Sequence, residues 1–329
     1  MSLQIIKQGL LDTLQDGGRY GYQHLGINVS GAMDRFAYSL SNALLGKHLN
    51  DIVIELHFPA AEILFEQATV ICLTGADFTP MLNGRPIPLN QPIIIARRSV
   101  LQFTRLRSGL RCYLSLLHGL TAMYWMGSEG TNLQAGAGGF QGRPLKTKDR
   151  VEFKDPALIP FSFKCETRVL DWRSPKVLDY ANHSVKVVRG NEWNWLSPES
   201  KKSFCAEKFS VSKHADRMGY YLISKGLFTS GQQHLHSSGV TPGTVQLLPG
   251  GQLIILMADA QTTGGYPRIA HIQSIDLPIV AQLRTGEQVT FTITDPDSSE
   301  ELLFRQKIFL NDLRATCAAR IRKQLSDVN

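Results

Sequence analysis

Residues 246–270, QLLPGGQLIILMADAQTTGGYPRIA, predict a buried strand that ends in a polar loop. Residues 253–257 form a short apolar run between a glycine pair and Asp259, which is the pattern of a buried strand. The following residues combine hydrogen-bonding groups with glycines that let a backbone approach a ligand closely: Asp259, Gln261, Thr262, Thr263, Gly264, Gly265 and Tyr266. Successive amides in such a turn can bind an anion. The alternative is a polar hairpin turn without a ligand.

The rest of the chain extends this β pattern. From residue 51 onward, short apolar runs alternate with turn clusters such as residues 83–86, which favours a β sandwich or barrel. A helix is expected over residues 34–45, capped by Ser30 or Asp34. We therefore predict a mainly β protein with two tandem barrels, a few short helices and a C-terminal helix that packs against a barrel. The predicted bounds follow in chain order: first barrel 1–154, linker 155–183, second barrel 184–296, C-terminal helix 297–329. A cap between Ser298 and Glu301 is expected to start that helix.

A repeated motif suggests that the two barrels are copies of one domain. SGAMDRFAYSL begins at residue 30 and SKHADRMGYYL at residue 212, so that Asp34 matches Asp216 at an offset of 182 (216 − 34). Asp77 and Asp259 each follow an Ala and an apolar strand, and their offset is again 182 (259 − 77). A shared offset indicates an internal duplication.

Composition excludes some functional classes. The 329 residues are 43% hydrophobic and 19% charged, which is typical of a soluble globular protein. There is no apolar run of membrane-spanning length and no export signal, so no membrane is expected as a partner. The net charge of +7 is spread along the chain, which makes nucleic acid a poor candidate partner. Five scattered cysteines, including Cys165, predict buried, reduced thiols in a cytoplasmic protein.

Common catalytic motifs are absent from the sequence. It has no phosphate-binding P-loop, no dinucleotide fingerprint, no Cys-x-x-Cys pair and no serine nucleophile elbow. Only His234 and His236 approach a metal-ligand spacing, and a solvated turn is the favoured interpretation there, so no metal is expected.

Three polar clusters carry the candidate chemistry. The first runs from Asp16 through Arg19 and His24 to residues 30–34, and it contains Ser30 and Asp34. The second is Asp216, Arg217, Met218 and Gly219. The third is Asp259 with residues 262–267. In a duplicated barrel such clusters are expected to line one cleft.

The motifs resemble those of the KipA-type family. They are SGAMD (30–34), TGAD (74–77), AGAGGFQGRPLK (135–146), DRMGY (216–220), VTPGTVQ (240–246) and ADAQTTGGYP (258–267). This family includes the C subunit of prokaryotic 5-oxoprolinase, allophanate hydrolase subunit 2 and the carboxyltransferase domain of urea carboxylase. The resemblance implies cyclophilin-like barrels. It also implies a KipI-type B subunit as partner and, in some assemblies, a LamB/YcsF-type A subunit.

The resemblance implies chemistry on a small amide or lactam substrate. The leading expectation is the C subunit of an ATP-dependent 5-oxoprolinase-like complex, inactive alone and binding no cofactor itself, with ATP used by the complex. The alternatives are a carboxyltransferase subunit that takes carboxybiotin from a carrier domain and acts on urea, and a KipA-like regulator of a KipI-type kinase inhibitor.

The expected roles follow from residue type. Asp259 or Asp216 would be a hydrogen-bonding group or general base, and Arg217 or Arg19 an anion clamp. The loop residues named above would cradle the substrate, with Tyr266 as an aromatic wall. The alternative for any one residue is a structural turn or a buried ion pair such as Asp216–Arg217. Glu129, Gly130 and Ser238 depart from the family pattern, which leaves the substrate open.

Overall fold

The computed structural model describes residues 1–158, 166–231 and 235–326. Cys165, His234, residues 327–329 of the predicted C-terminal helix and the side chain proposed to cap it, that of Ser298, lie outside this description. The chain folds into two compact units. The first unit comprises Met1–Gly18, Asp34–Leu178 and the segment from Gln306 onward, and the second comprises Arg19–Met33 and Asp179–Arg305.

This division differs from the predicted domain bounds in three places. Residues 19–33 belong to the second unit, since Ser30 N donates to Ala258 O at 2.9 Å. Part of the predicted linker is built into the first unit, where Leu170 and Trp172 join a hydrophobic core. The C-terminal segment also packs into that core.

The described residues contain four α-helices: α1 (Arg35–Leu44), α2 (Pro198–Ala206), α3 (Leu277–Ala281) and α4 (Pro296–Ser326). Helix α1 confirms the helix predicted over residues 34–45. Asp34 is its N-cap, because its Oδ1 accepts from Ala37 N at 2.8 Å. None of the helices in the described segments is both long and apolar enough to cross a membrane.

The first unit is built from two six-stranded sheets. Its strands are β1 (Ser2–Lys7), β2 (Thr13–Gln15), β3 (Val53–His57), β4 (Glu62–Phe65), β5 (Thr69–Asp77), β6 (Pro80–Leu82), β7 (Arg85–Pro86), β8 (Ile93–Ile95), β9 (Ser99–Phe103), β10 (Ser108–Leu116), β11 (Arg150–Glu152) and β12 (Arg168–Val169). One sheet has the order β11-β1-β4-β9-β6-β7 and the other the order β12-β8-β5-β10-β3-β2. Apolar side chains from both sheets form one buried core.

The second sheet is covered on both faces, which explains the continuous apolar run in β5. Ile71 and Leu73 enter the core shared with the first sheet. Val70 and Cys72 point to the opposite core, which also contains residues of α1 and α4. Because successive side chains of a strand point to opposite faces, a strand buried twice loses the alternating pattern.

A buried carboxylate fastens the β3–β4 turn of the first unit. Asp12 is fully buried, and its two oxygens accept from His57 N at 2.9 Å and Ala61 N at 2.6 Å. Burial is the main cause that raises the pKa of Asp12 to about 7. The ionised form of this carboxyl is therefore disfavoured in the folded state.

The second unit is a closed barrel. Its strands are β13 (Ser184–Arg189), β14 (Phe209–Val211), β15 (Gly219–Ile223), β16 (Ser238–Gly239), β17 (Thr244–Leu247), β18 (Leu253–Leu256), β19 (Thr263–Gly264), β20 (Arg268–Ile272) and β21 (Gln288–Ile293). The barrel order is β13-β20-β17-β18-β15-β14-β21, and β16 pairs with β19 outside it. Strand β18 confirms the strand predicted after the glycine pair. The mainly β class with a barrel and few helices is thus confirmed.

The matched motifs of the two halves lie on different elements. The motif after Asp34 forms α1, whereas the motif after Asp216 leads into β15. The offset of 182 therefore aligns a helix with a strand, and it does not mark structurally equivalent residues over these motifs. Gly219, where α1 has Ala37, fits the strand because a Cβ there would lie 2.8 Å from Ile254 Cδ1.

Candidate functional site

A buried ion pair between Arg217 and Asp259 forms the centre of the candidate site in the second unit. Arg217 Nε donates to Asp259 Oδ2 at 2.7 Å, and Arg217 Nη2 donates to Asp259 Oδ1 at 3.1 Å. The two side chains are only 5% and 4% exposed. This fork geometry fixes both groups, since paired N–H donors match the two oxygens of a carboxylate.

The pairing of β15 with β18 brings these two residues together. Gly219 pairs with Leu256 in the antiparallel ladder. The backbone contact continues beyond the strands, because Asp259 N donates to Arg217 O at 2.8 Å. Two motifs that are 42 residues apart in the sequence therefore meet at the same edge of the barrel.

A strap formed by residues 28–31 closes over the ion pair. Arg217 Nη2 donates to Gly31 O at 2.7 Å, and Asn28 Nδ2 donates to Asp259 O at 2.8 Å. Ser30, with a φ of 55°, and Gly31, with a φ of 85°, both have left-handed backbones. The first and third predicted clusters thus meet through this strap, within the second unit.

Asp216 is oriented differently from its neighbour Arg217. It is exposed, and its Oδ1 accepts from the backbone amides of Met218 at 2.8 Å and Gly219 at 3.1 Å. Of the alternatives named for these residues, Asp216 follows the structural turn, and Arg217 forms its buried ion pair with Asp259 instead of Asp216. Asp216 also faces a pocket of ≈ 1010 Å³ in the second unit. The other residues lining this pocket include Ser212, Lys213, His214, Tyr221, Ile223 and Thr285.

The glycine-containing loop lies at the protein surface next to a two-residue ladder. Thr263 and Gly264 form β19, which pairs with Ser238 and Gly239. The remaining loop residues show graded exposure: Gln261, Gly265 and Tyr266 are exposed and Thr262 is half-buried. Beneath the loop, the fully buried Gln246 donates from Nε2 to Tyr266 O at 3.3 Å.

A second ion pair stabilises the neighbouring strand β20. Arg268 Nη2 donates to Glu192 Oε1 at 2.7 Å and Arg268 Nε donates to Glu192 Oε2 at 2.9 Å. The hydrogen bonds from Arg268 hold the pKa of Glu192 below its ordinary value. Since Arg268 pairs with Gln246 in the β17–β20 ladder, this ion pair lies beside the buried glutamine.

The remaining predicted residues lie outside this cluster of contacts. Arg19 is fully buried, and its backbone N–H donates to Val29 O at 2.8 Å, at the start of the strap. His24 is exposed on a 3₁₀ turn, Gln23–Leu25. Asp34 belongs to the first unit, where it caps α1 and its backbone N–H donates to Tyr113 Oη at 2.7 Å.

Sequence reasoning missed two contributors, Asn28 and Gln246, and it gave no role to the backbone carbonyl of Gly31. Gln246 could have been predicted from the sequence, because it is the one strongly polar residue in the VTPGTVQ strand motif. The backbone carbonyl of Gly31 has no sequence signature. Within the described segments, no group of three or more His, Cys, Asp or Glu side chains could hold a metal ion.

The cysteine environment separates one thiol from the others. Cys72, Cys112, Cys205 and Cys317 are free thiols, and three of them are buried, whereas Cys205 is exposed. Burial is the main cause that raises the pKa of the Cys317 thiol to about 11. None of the four lies in the candidate site.

Comparison with known proteins identifies the family. The profile of the carboxyltransferase domain, subdomains A and B, matches residues 25–293. The chain belongs to this family. The match includes the strap, both strands of the ion pair and the glycine-containing loop.

One relative matches most of this chain. The chain is 33% identical to the 5-oxoprolinase C subunit of Escherichia coli K12 over 88% of this chain and 90% of that protein. It is 27% identical to the urea amidolyase of Saccharomyces cerevisiae over 97% of this chain but only 18% of that larger protein.

A solved structure supports the fold. The crystal structure of the K. lactis urea amidolyase matches with a TM-score of 0.87 over 95% of this chain, at 24% sequence identity. The chain spans 20% of that protein. The likeness shows that the two chains share a fold.

Proposed function

We propose that this chain is the C subunit of an ATP-dependent 5-oxoprolinase-like complex, which hydrolyses 5-oxoproline to L-glutamate. The observation that carries the proposal is the match to the C subunit of Escherichia coli 5-oxoprolinase, which covers 88% of this chain and 90% of that protein. The urea amidolyase match covers 18% of its protein and supports the proposal less strongly.

Chemistry on an amide or lactam is consistent with the need for ATP in the proposed complex. Amide resonance gives the carbonyl carbon of a lactam low reactivity, so its hydrolysis benefits from coupling to ATP. Asp216 is the predicted catalytic carboxylate that faces a pocket, and we assign proton transfer to it. Arg217 and Asp259 satisfy each other, which favours a positioning role in which they hold the strap and the loop.

The loop supplies the groups that contact the substrate in this proposal. Backbone and side-chain donors of Thr262 and Thr263, next to Gly264 and Gly265, would bind a carboxylate or carbonyl oxygen, and the exposed Tyr266 would form an apolar wall. The proposed partners are a KipI-type B subunit and a LamB/YcsF-type A subunit. The chain is expected to be inactive alone and to depend on ATP used by the complex. Its cytoplasmic location stays a prediction.

The family match supports one alternative, a carboxyltransferase subunit acting on urea or a related amide. In that case the loop donors would stabilise the charge that develops on the ureido oxygen of carboxybiotin from a carrier domain. The two proposals differ in one requirement, because only the carboxyltransferase needs a biotinylated partner.

The test is reconstitution of the complex. The chain is combined with the KipI-type and LamB/YcsF-type subunits, and 5-oxoproline hydrolysis and ATP consumption are measured with and without avidin. We expect glutamate formation that needs all subunits and resists avidin. Turnover by the purified chain alone would contradict its role as a dependent subunit. Inhibition by avidin would favour the carboxyltransferase.

A further inference from the structure

Gln246 in β17 places a polar carboxamide directly beneath the loop of residues 261–266. The residue is fully buried and is flanked in its strand by the apolar Val245 and Leu247. Its Nε2 donates to Tyr266 O at 3.3 Å, whereas no described residue is a hydrogen-bond partner of its Oε1. A buried acceptor without a partner costs about 1–3 kcal/mol, so its retention calls for a reason.

A second unmet polar atom lies next to it. Ser238 Oγ is buried and has no partner among the described residues. Ser238 pairs with Gly264 across the β16–β19 ladder. A Cβ on Gly264 would lie 2.6 Å from Gln246 Nε2, so a larger residue at this position would displace the carboxamide. Two oxygens without hydrogen-bond partners among the described residues, Gln246 Oε1 and Ser238 Oγ, thus lie beside Gly264 in the proposed substrate loop.

A carboxamide presents an N–H donor and a carbonyl acceptor side by side. A lactam or cyclic urea presents the same pair on one edge, because its ring holds the amide in the cis arrangement. Two such edges are complementary: the lactam N–H donates to the glutamine oxygen, and the glutamine N–H donates to the lactam oxygen. An extended trans peptide bond cannot offer both groups to one carboxamide.

We propose that Gln246 is a specificity-determining residue that recognises the cis-amide edge of the substrate. Its Oε1 accepts the hydrogen bond of the substrate N–H, and Ser238 Oγ supplies a further hydrogen bond at the same edge. This inference deepens the proposed function and rests on it for the substrate class, a lactam or cyclic urea.

Access to Gln246 requires only a local movement. The covering loop is held to the neighbouring segment by the two-residue ladder β16–β19 and by the hydrogen bond from Val240 N to Thr262 O at 3.0 Å. Such a short ladder can open locally without unfolding the barrel. The substrate would then take the space against the carboxamide that Gly264 occupies in this structure.

The test compares Gln246→Met with Gln273→Met in the reconstituted complex. Gln273 is a matched control, because it is also buried in the second unit and both polar atoms of its amide lack partners among the described residues. We expect Gln246→Met to raise KM for 5-oxoproline roughly tenfold or more, the effect of losing one or two hydrogen bonds. Gln273→Met should leave KM within twofold.

A substrate analogue separates recognition from packing. N-methyl-5-oxoproline lacks the donor that Oε1 would accept, so wild-type complex should discriminate against it and Gln246→Met should lose that discrimination. An unchanged KM for 5-oxoproline in Gln246→Met would overturn the inference. So would a Gln246→Met complex that discriminates against N-methyl-5-oxoproline as strongly as wild type does.

A binding experiment tests the role of Gln246 independently of the proposed function. If the wild-type complex does not hydrolyse 5-oxoproline, the proposed function is wrong. Calorimetric titration of the chain with 2-imidazolidinone, a cyclic urea without substituents, then tests the role of Gln246. Binding to wild type and Gln273→Met that is lost in Gln246→Met supports it. No binding to wild type, or equal binding to Gln246→Met, contradicts it.

Discussion

Neutralising Asp259 should destabilise the second unit strongly. In Asp259→Asn the shape of the side chain is kept, but Arg217, whose side chain is 5% exposed, loses its ion pair with the Asp259 carboxylate. Removing one partner of a buried pair costs about 3–5 kcal/mol in the free energy of unfolding. The hydrogen bond from Arg217 to Gly31 would also be strained, so the strap should loosen.

A double variant separates charge from packing. Arg217→Met combined with Asp259→Leu removes both charges and keeps apolar volume, and such replacements are often neutral or stabilising. We expect the double variant to recover at least half of the stability lost in Asp259→Asn. As a control, Glu287→Gln breaks the Arg284–Glu287 pair, whose side chains are 38% and 24% exposed, and it should cost under about 1 kcal/mol.

Hydrogen exchange followed by mass spectrometry reports the effect within the second unit. Peptides that contain β15 and β18 should lose protection in Asp259→Asn and regain it in the double variant. A loss below about 1 kcal/mol in Asp259→Asn, or a double variant as unstable as the single one, would refute the assignment of the pair as the site's structural centre.

Three further predictions concern other parts of the chain. Gly264→Ala places a Cβ 2.6 Å from Gln246 Nε2 and should raise KM of the complex roughly tenfold. Gly250→Ala, whose new Cβ would meet no neighbouring group within 4 Å, should change KM less than twofold. Because the folded-state pKa of Asp12 is about 7, above its ordinary 3.8, the free energy of unfolding should fall as pH rises from 4 to 7. Relative to Asp12→Asn, the fall should reach about 1.4 kcal/mol per pH unit. A difference in unfolding free energy between the two proteins that stays constant with pH would contradict this. Gly46→Ala should lower the melting temperature by several degrees, since φ is 69° and the new Cβ would lie 2.4 Å from the α4 backbone; an unchanged temperature would contradict that packing.

Local sequence patterns predicted the elements that depend on local forces. Strand β18 and helix α1 followed from an apolar run and a cap, both of which act within a few residues. The ladder register that joins Arg217 to Asp259 depends on contacts 42 residues apart, so local patterns could not identify Asp259 as the partner of Arg217. Adjacent Asp and Arg side chains in a turn commonly diverge, and here Asp216 satisfies backbone amides instead.

The offset of 182 was misleading for the motifs that begin at residues 30 and 212, whereas before Asp77 and Asp259 it aligns β5 with β18. Short polar motifs recur in turns of many kinds, because Asp caps helices and tight turns equally well. Asp34 caps α1, whereas Asp216 caps the turn before β15. A motif match therefore predicted similar local chemistry, and it did not predict the element that follows.

We propose that this chain binds a lactam as a dependent subunit of a hydrolase. The most direct measurement is the rate of glutamate formation from 5-oxoproline and ATP in the reconstituted complex, with this chain present or omitted. We predict turnover that requires the chain and is lost when Asp216 is changed to Asn. Turnover that is equal without the chain, or that the chain performs alone, would contradict the claim.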